Sequence, residues 1–254
     1  MDYARTRFRR PAAAITSAVV VAFSAGPGFA QPAPAASAAA PAAISAGVPD
    51  TIAQRVIACT ACHGKEGRAA SDGYYPRIAG KPGGYLYNQL VNFREGRRTF
   101  RGMTYMVDHM SDAYLREIAN YFASLHPPYP PPQRVNVSAS VMERGKQLVI
   151  NGDASKNVPA CAACHGSALT GVLPSTPALI GLPRDYINAQ FGAWRNGTRR
   201  AHAPDCMAQI AERLSRDDIS AASAWLASQP LAPDLLPAAA SGAKLPLACG
   251  SVPQ

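Results

Sequence analysis

The strongest constraint on this chain is a short cysteine motif that occurs twice. CTACHG begins at Cys59 and CAACHG begins at Cys161, so each copy reads Cys-x-x-Cys-His. Shifting the sequence against itself by 101 to 104 residues superimposes both motifs and much of the chain after each of them, as far as YFAS at Tyr121 and WLAS at Trp225. A repeat of this density indicates a tandem duplication with one structural unit per copy.

Three kinds of site use two cysteines at this spacing. A redox motif is typical of a βαβ pattern, which the sequence lacks, and a zinc site needs four ligands where each copy has three close together. In covalent haem attachment the two thiols bond the haem vinyl groups and the adjacent histidine binds the iron. The chain is therefore predicted to hold two covalently bound haem c groups. The predicted attachment residues and iron ligands are Cys59, Cys62, His63, Cys161, Cys164 and His165.

The segments after each motif have helical periodicity. In GYLYNQLVNFREG, Leu86, Leu90 and Phe93 recur on one face, and SDAYLREIANYFASL begins at Ser111, a favourable N-cap. VMERGKQLVI precedes the second motif with a similar pattern. The prediction is an all-α fold of two small domains, each under 100 residues and stabilised by its cofactor.

Composition divides the chain into six segments. Between the repeats lies HPPYPPPQ, which favours extended polyproline geometry and forms a semi-rigid spacer. The predicted segments are a signal peptide at 1–30, a disordered Ala/Pro spacer at 31–47, a first domain at 48–125, a Pro-rich linker at 126–136, a second domain at 137–230 and a tail at 231–254.

The N-terminus predicts export to the periplasm. Four arginines precede an apolar run at 12–25, and the small residues before Gln31 predict cleavage after Ala30. A run of this length is too short to span a hydrocarbon core of roughly 30 Å, although an uncleaved anchor remains the alternative. No other segment is long and apolar enough to cross a membrane, so the mature chain is expected to have no transmembrane segment.

Charge indicates the class of partner. Cleavage removes four arginines and one aspartate and lowers the formal net charge from +9 to +6. The basic residues are scattered, with no nucleic-acid motif, so nucleic acid is not an expected partner. A basic surface suits an acidic redox protein, and it leaves peripheral association with anionic lipid open.

The sixth iron ligand decides what the haems can do, because methionine closes the site and raises the potential. The candidates in the first copy are Met103, Met106, Met110 and His109. Counting back eight residues from Ser111 and from Ser215 gives Met103 and Met207, so these two are the predicted ligands. Met106 and Met110 are expected to be packing residues.

Residues 48–230 resemble the dihaem class I cytochromes c of the cytochrome c4 family. The resemblance rests on the paired motifs, on YPRIAG and TPALIG, on YLYNQLVNFREGRR and on the two methionine-bearing segments. It implies two tandem class I cytochrome c domains with their haem edges facing. It also implies that the carbonyls of Pro76 and Pro177 accept the ring N–H of the axial histidines. The family packs its first helix on its last at a glycine, here Gly145 in the second copy; the first copy lacks one near Ile52, so its helix crossing is expected to differ.

Four further residues have two open interpretations. They either reach haem propionates or are ordinary packing residues: Tyr85, Tyr186, Arg98 and Arg199.

With both axial positions filled, the expected function is electron transfer without catalysis. The resemblance implies a periplasmic carrier between respiratory redox partners that leads towards a terminal oxidase. The alternatives are a cytochrome subunit of a periplasmic dehydrogenase complex and a dihaem peroxidase, which needs an open iron.

Two cysteines remain outside the motifs. Cys206 directly precedes Met207, Cys249 lies in the tail, and neither has a counterpart in the first copy. In an oxidising compartment two spare thiols tend to pair, so a disulfide between them is predicted. The alternatives are a buried Cys206 and a free Cys249.

Overall fold

The structure is a computed structural model that describes residues 49–69, 74–231, 235–240, 242 and 244–252. The predicted signal peptide and Ala/Pro spacer lie outside the described residues. The described part is helical, with isolated bridges but no named strands. Its helices are α1 (Ile52–Arg55), α2 (Ile57–His63), α3 (Gly83–Arg94), α4 (Arg101–Val107), α5 (Asp112–Ala123), α6 (Ala139–Ile150), α7 (Cys161–His165), α8 (Arg184–Arg195), α9 (Cys206–Arg213) and α10 (Arg216–Ser228). The all-α prediction is confirmed.

We call residues 48–125 the first repeat and residues 137–230 the second repeat. In the first repeat α3 packs on α5 and α4. The predicted N-cap is confirmed, since the Ser111 hydroxyl accepts the N–H of Tyr114 at 3.3 Å. The buried core side chains are Val56, Leu86, Val91, Phe93, Val107, Leu115, Ile118, Ala119 and Phe122.

In the second repeat α6 and α8 pack on α10. Ser215 and Asp218 form a complete capping box at the start of α10, because each side chain accepts the other residue's backbone N–H. The crossing of α6 on α10 depends on Gly145, where a Cβ would lie 2.2 Å from the carbonyl oxygen of Ala221. The buried core is separate from that of the first repeat: Leu148, Val149, Val158, Leu169, Ile180, Ile187, Ile210, Leu214, Ile219, Ala222 and Leu226.

The first repeat begins differently, as the missing glycine implies. In place of one long helix it has the short α1, followed by α2. Arg55 of α1 forms a two-pronged ion pair with Glu117 of α5, with both N···O distances at 2.9 Å. A side-chain contact therefore holds α1 against α5, where the second repeat uses close backbone packing.

The Pro-rich linker lies against both repeats. Buried Arg77 donates to the carbonyls of Pro127 and Pro128 and stacks on the Tyr129 ring at 3.8 Å. The N–H of Gln133 then donates to the carbonyl of Ala227 at 2.9 Å. The linker is thus hydrogen-bonded at both ends, and the exact segment boundaries remain a prediction.

Candidate haem sites

Both motif histidines end a short helix and are buried. His63 is the last residue of α2 and His165 the last of α7, and they are 7% and 8% exposed. The next residues, Gly64 and Gly166, have φ of 73° and 84°. These are left-handed values that favour glycine, so the chain turns sharply after each histidine and leaves the ring facing inward.

Each histidine ring is fixed by one hydrogen bond. Nδ1 of His63 lies 2.8 Å from the carbonyl oxygen of Pro76, and Nδ1 of His165 lies 2.8 Å from that of Pro177. Since a carbonyl only accepts, Nδ1 carries the proton and Nε2 keeps its lone pair. Burial lowers the pKa of both histidines, and Arg98 lowers that of His63 further. Both rings are therefore neutral and oriented, as metal-binding imidazoles are.

The four motif cysteines differ in exposure, and burial shifts the pKa of three of them. Burial raises the pKa of Cys161 to about 11 and also raises the pKa of Cys59 and Cys164. Cys59, Cys161 and Cys164 are thus half-buried thiols close in sequence to a motif histidine, whereas Cys62 faces solvent.

The second repeat contains a cavity that brings the predicted ligands together. Cys161, Cys164, His165 and Met207 all line it. Most of the remaining lining is apolar: Leu148, Val158, Leu179, Leu182, Ile187, Phe191, Ile210, Leu214, Ala222 and Leu226. Trp194 also lines it, and its Nε1 is buried with no hydrogen-bond partner among the described residues. Ser251 lines the cavity as well, and its Oγ is also buried without a partner among the described residues. A largely apolar cavity with two unpartnered donors fits a flat apolar cofactor that carries acceptor groups.

The first repeat arranges its residues differently. Cys59 packs against one apolar cluster with Val56 and Ile118, and Met103 packs against a neighbouring cluster with Val91 and Phe93. The two clusters share half-buried side chains: Tyr87, Leu90 and Met110. The structure thus places Met103 in the adjoining cluster rather than beside Cys59, and its role as a ligand stays a prediction.

The remaining methionines and histidines near the predicted ligands differ in how far they are exposed to solvent. Met110 packs against both clusters of the first repeat, as predicted. The prediction that Met106 packs is wrong, because this residue of the short helix α4 is 40% exposed. The side chain of His109 is 97% exposed. His202 is exposed, and its Nε2 lies 3.0 Å from Nη2 of Arg97.

The two repeats meet through repeat-equivalent residues. Arg98 and Arg199 form an antiparallel bridge, next to hydrogen bonds from the Thr99 N–H to the Thr198 carbonyl and from the Arg200 N–H to the Arg97 carbonyl, both at 2.7 Å. This pairing gives the interface an approximate two-fold character. The two repeats are thereby joined through equivalent segments, residues 97–99 and 198–200.

The side-chain contacts of Arg98 and Arg199 follow the same approximate two-fold symmetry. Arg98 donates to the amide oxygens of Gln89 at 2.9 Å and Gln190 at 2.8 Å, and Arg199 donates to Gln190 at 2.7 Å and Gln89 at 3.2 Å. Each arginine also stacks on the aromatic ring five residues before it, at 4.6 Å for Phe93 and 3.9 Å for Trp194. Gln89 and Gln190 were not identified from the sequence as interface residues. Their recurrence at the same offset in the two repeats is the sequence signal that could have identified them.

The comparisons with known proteins agree with this geometry. No protein-family model matches the chain. The "Thiosulfate dehydrogenase electron acceptor" of Thiomonas intermedia is 37% identical over 196 residues, which cover 77% of this chain and 87% of the relative. The cytochrome c4 of Pseudomonas aeruginosa is 31% identical over 177 residues, which cover 68% and 84%.

The solved structures that resemble this chain are of the same two kinds, a cytochrome c4 and a thiosulfate dehydrogenase. Reduced recombinant cytochrome c4 from Pseudomonas stutzeri superimposes with a TM-score of 0.60 at 29% identity and covers 69% of this chain and 95% of that one. The thiosulfate dehydrogenase TsdBA from Marichromatium purpuratum also gives 0.60 at 29% identity, over 68% of this chain but 36% of that one. With these matches and its two Cys-x-x-Cys-His sites, the chain belongs to the cytochrome c4 family, and it is a dihaem electron-transfer cytochrome with two covalently attached haem c groups.

Proposed function

We propose that this cytochrome is a periplasmic carrier that accepts electrons from a dehydrogenase of the thiosulfate dehydrogenase class and passes them towards a terminal oxidase. Two comparisons support the choice of donor. One relative is named as the electron acceptor of thiosulfate dehydrogenase, and the TsdBA chain contains a part with this fold. The carrier itself has no substrate to convert.

The observation that carries this proposal is the joined pair of sites. Each site presents a neutral, hydrogen-bonded histidine, and Arg98 and Arg199 connect the two repeats through shared glutamines. Covalently held haem in such sites supplies one-electron chemistry. The protein's part is to keep the histidine rings fixed and to surround the second site with apolar side chains, which favours a change of iron valence with little rearrangement.

A periplasmic location is supported by two further features. Residues 1–30 have the composition of an export signal, and the two haem motifs call for attachment outside the cytoplasm. Among the described residues, no helix is both long enough and apolar enough to span a bilayer. The net charge of +6 expected after cleavage favours a donor or acceptor with an acidic docking surface.

A second arrangement is supported by the TsdBA comparison. The matching part makes up 36% of that chain, so a fold of this kind also occurs inside a larger thiosulfate dehydrogenase polypeptide. This chain would then be a stable cytochrome subunit of its dehydrogenase rather than a diffusing carrier. Size-exclusion chromatography of the native protein from its own cells distinguishes the two, because a subunit elutes with a stoichiometric partner.

The donor is tested by mixing ferric protein, thiosulfate and a purified thiosulfate dehydrogenase and recording the visible spectrum. We expect both haems to become reduced at a rate proportional to the enzyme, and this rate to fall with added salt because screening shortens electrostatic steering to about 8–10 Å. Mixtures without enzyme or without thiosulfate provide the background. A rate no higher than this background would reject thiosulfate dehydrogenase as the donor.

A further inference from the structure

Lys81 is a buried lysine whose charge has no acidic partner in the described part of the chain. The residue lies two positions before α3 and is 7% exposed. None of the ion pairs among the described residues includes it. Burial lowers the pKa of Lys81, so the ammonium group needs a nearby anion to keep its charge. Buried charges in proteins are normally paired, and this one requires an explanation.

The position of Lys81 indicates where that anion belongs. Lys81 is part of the first repeat, yet it lines the cavity of the second repeat together with His165 and Met207. The polar face of α3 continues the same wall with Tyr85, Asn88, Gln89 and Asn92. The first repeat therefore closes one side of the second haem site.

This side of the cavity is strongly positive. Arg199 is 6% exposed there and donates to the hydroxyl of Tyr85 at 3.2 Å. Burial would raise the pKa of Tyr85, but the charges of Arg199, Arg98 and Lys81 outweigh it and lower that pKa. Three cations, Arg199, Arg98 and Lys81, therefore act on the hydroxyl of Tyr85 in this wall of the cavity.

The one carboxylate in the described lining, that of Asp205, forms no ion pair with Lys81 or Arg199. Asp205 caps α9 and accepts the N–H groups of Ala201 at 2.7 Å and Ala208 at 3.0 Å. Its two oxygens are thus held by backbone N–H groups rather than by either cation. The cavity keeps two buried cations and the unpartnered Nε1–H of Trp194.

We infer that Lys81, supplied by the first repeat, binds a propionate carboxylate of the haem held by the second repeat, together with Arg199 and Tyr85. A haem carries two propionates, the anions that a buried ammonium and a guanidinium would pair with. The second site is then incomplete without the first repeat. The inference rests on the attached haem and not on the identity of the electron donor.

Lys81 also breaks the two-fold pattern of the interface. Arg98 and Arg199, Gln89 and Gln190 each have a counterpart, but the position equivalent to Lys81 is Leu182, which packs against the second core. One extra positive charge therefore faces the second haem alone. Because a positive charge disfavours the ferric state more than the ferrous state, Lys81 raises the potential of the second haem selectively.

The test is a spectroelectrochemical titration of Lys81→Gln and Lys81→Met, each compared with the wild-type holoprotein. We expect one of the two potentials to fall and the other to stay. A unit charge acting over about 10 Å at an effective dielectric of about 20 would lower the reduced-to-oxidised ratio of that haem on the order of tenfold at a fixed electrode potential. Paramagnetically shifted haem signals in NMR spectra, assigned with a Met207 variant, identify the affected haem.

Lys146→Gln is the matched control, because it removes the same charge from the exposed face of α6 in the second repeat. It should leave both potentials close to wild type. Equal shifts of both haems in a Lys81 variant, a shift confined to the first haem, or no shift would each overturn the inference. None of these outcomes depends on thiosulfate dehydrogenase. The proposed electron donor is therefore tested separately, by the reduction assay described above.

Discussion

A disulfide joins Cys206 to Cys249, and their Cα atoms are 5.0 Å apart. Cys206 directly precedes Met207 in the chain. The bridge predicted from the two spare cysteines is confirmed. The tail that carries Cys249 is tied further by hydrogen bonds from the Gly250 N–H to the Pro204 carbonyl at 2.9 Å and from Asn88 Nδ2 to the Ser251 carbonyl at 3.0 Å. It thus connects the start of α9 to α3 of the first repeat.

Removing this bridge should loosen the second site. In a Cys206→Ser, Cys249→Ser variant the tail is held by hydrogen bonds alone, and the segment that positions Met207 gains freedom. The loop closed by the bridge has a sequence separation of 43, for which the chain-entropy estimate is about 4 kcal/mol. We expect a lower melting temperature and carbon monoxide binding to one ferrous haem, measured by calorimetry and visible spectroscopy.

The first haem is the internal control for this variant, since no equivalent bridge exists in the described part of its repeat. Its spectrum should not change. Carbon monoxide binding at both haems, or at neither with an unchanged melting temperature, would contradict a role for the bridge in holding Met207.

Replacing the two predicted methionine ligands should affect one haem each. Met207→Ala is expected to remove the weak near-infrared methionine-to-iron band of one ferric haem, lower its potential and admit small ligands. Met103→Ala should do the same to the other haem. Absorption spectra and a redox titration of each variant measure both effects.

Met106→Ala is the control for this pair, because Met106 is 40% exposed on the same helix as Met103. It should leave both haems with their near-infrared bands. If Met106→Ala rather than Met103→Ala removed a band, the first repeat would use a different methionine from the one that the repeat predicts.

Local patterns were sufficient to predict much of this fold. The periodicity of α3, α5 and α6 arises from residues within a few helical turns of one another. At the caps, Ser111 and Ser215 each accept the backbone N–H of the residue three positions later, so these features are also local in sequence. The internal repeat added long-range information because it aligned the methionines and the prolines. The pairing of His63 with the carbonyl of Pro76 was implied by the resemblance to the cytochrome c4 family, and the hydrogen bond confirms it.

Contacts between the repeats could not be predicted in the same way. Lys81 lines the cavity of the other repeat, and only the packing of α3 against the second repeat places it there. Met106 was expected to pack because methionine fills irregular apolar gaps, but it is 40% exposed in the short helix α4. A sequence pattern gives the face of a helix, whereas the partner of that face is set by the tertiary fold.

Neutralising Asp218 should destabilise the second repeat. Its buried carboxylate accepts from Nε of Arg144 at 2.8 Å, from Nζ of Lys156 and from the backbone N–H of Ser215 at 3.1 Å. In Asp218→Asn these partners lose their acceptor, and we expect a loss of about 2–3 kcal/mol of unfolding free energy. Denaturant unfolding followed by circular dichroism at neutral pH measures it.

The effect should also depend on pH. Burial would raise the pKa of Asp218, but its hydrogen bonds with Arg144, Lys156 and Ser215 hold that pKa well below its ordinary value. A carboxyl with a depressed folded-state pKa contributes stability above the pKa of the unfolded chain, about 4, and loses it as the pH falls further. The difference between wild type and Asp218→Asn should therefore shrink below about pH 4. Asp217→Asn, at an exposed position in the same first turn, should show neither the loss nor this pH dependence.

Gly145→Ala should weaken the contact between α6 and α10. The added Cβ would lie 2.2 Å from the carbonyl oxygen of Ala221 and 2.8 Å from Cβ of Trp225, so the helices must separate. Overpacking of this kind costs about 1–3 kcal/mol, which a denaturant titration resolves. Gly192→Ala is the matched control, because a Cβ there meets nothing within 4 Å and alanine favours a helix by up to about 1 kcal/mol. Gly145→Ala as stable as Gly192→Ala would show that α6 and α10 can separate without loss, and that the glycine is not what sets their crossing.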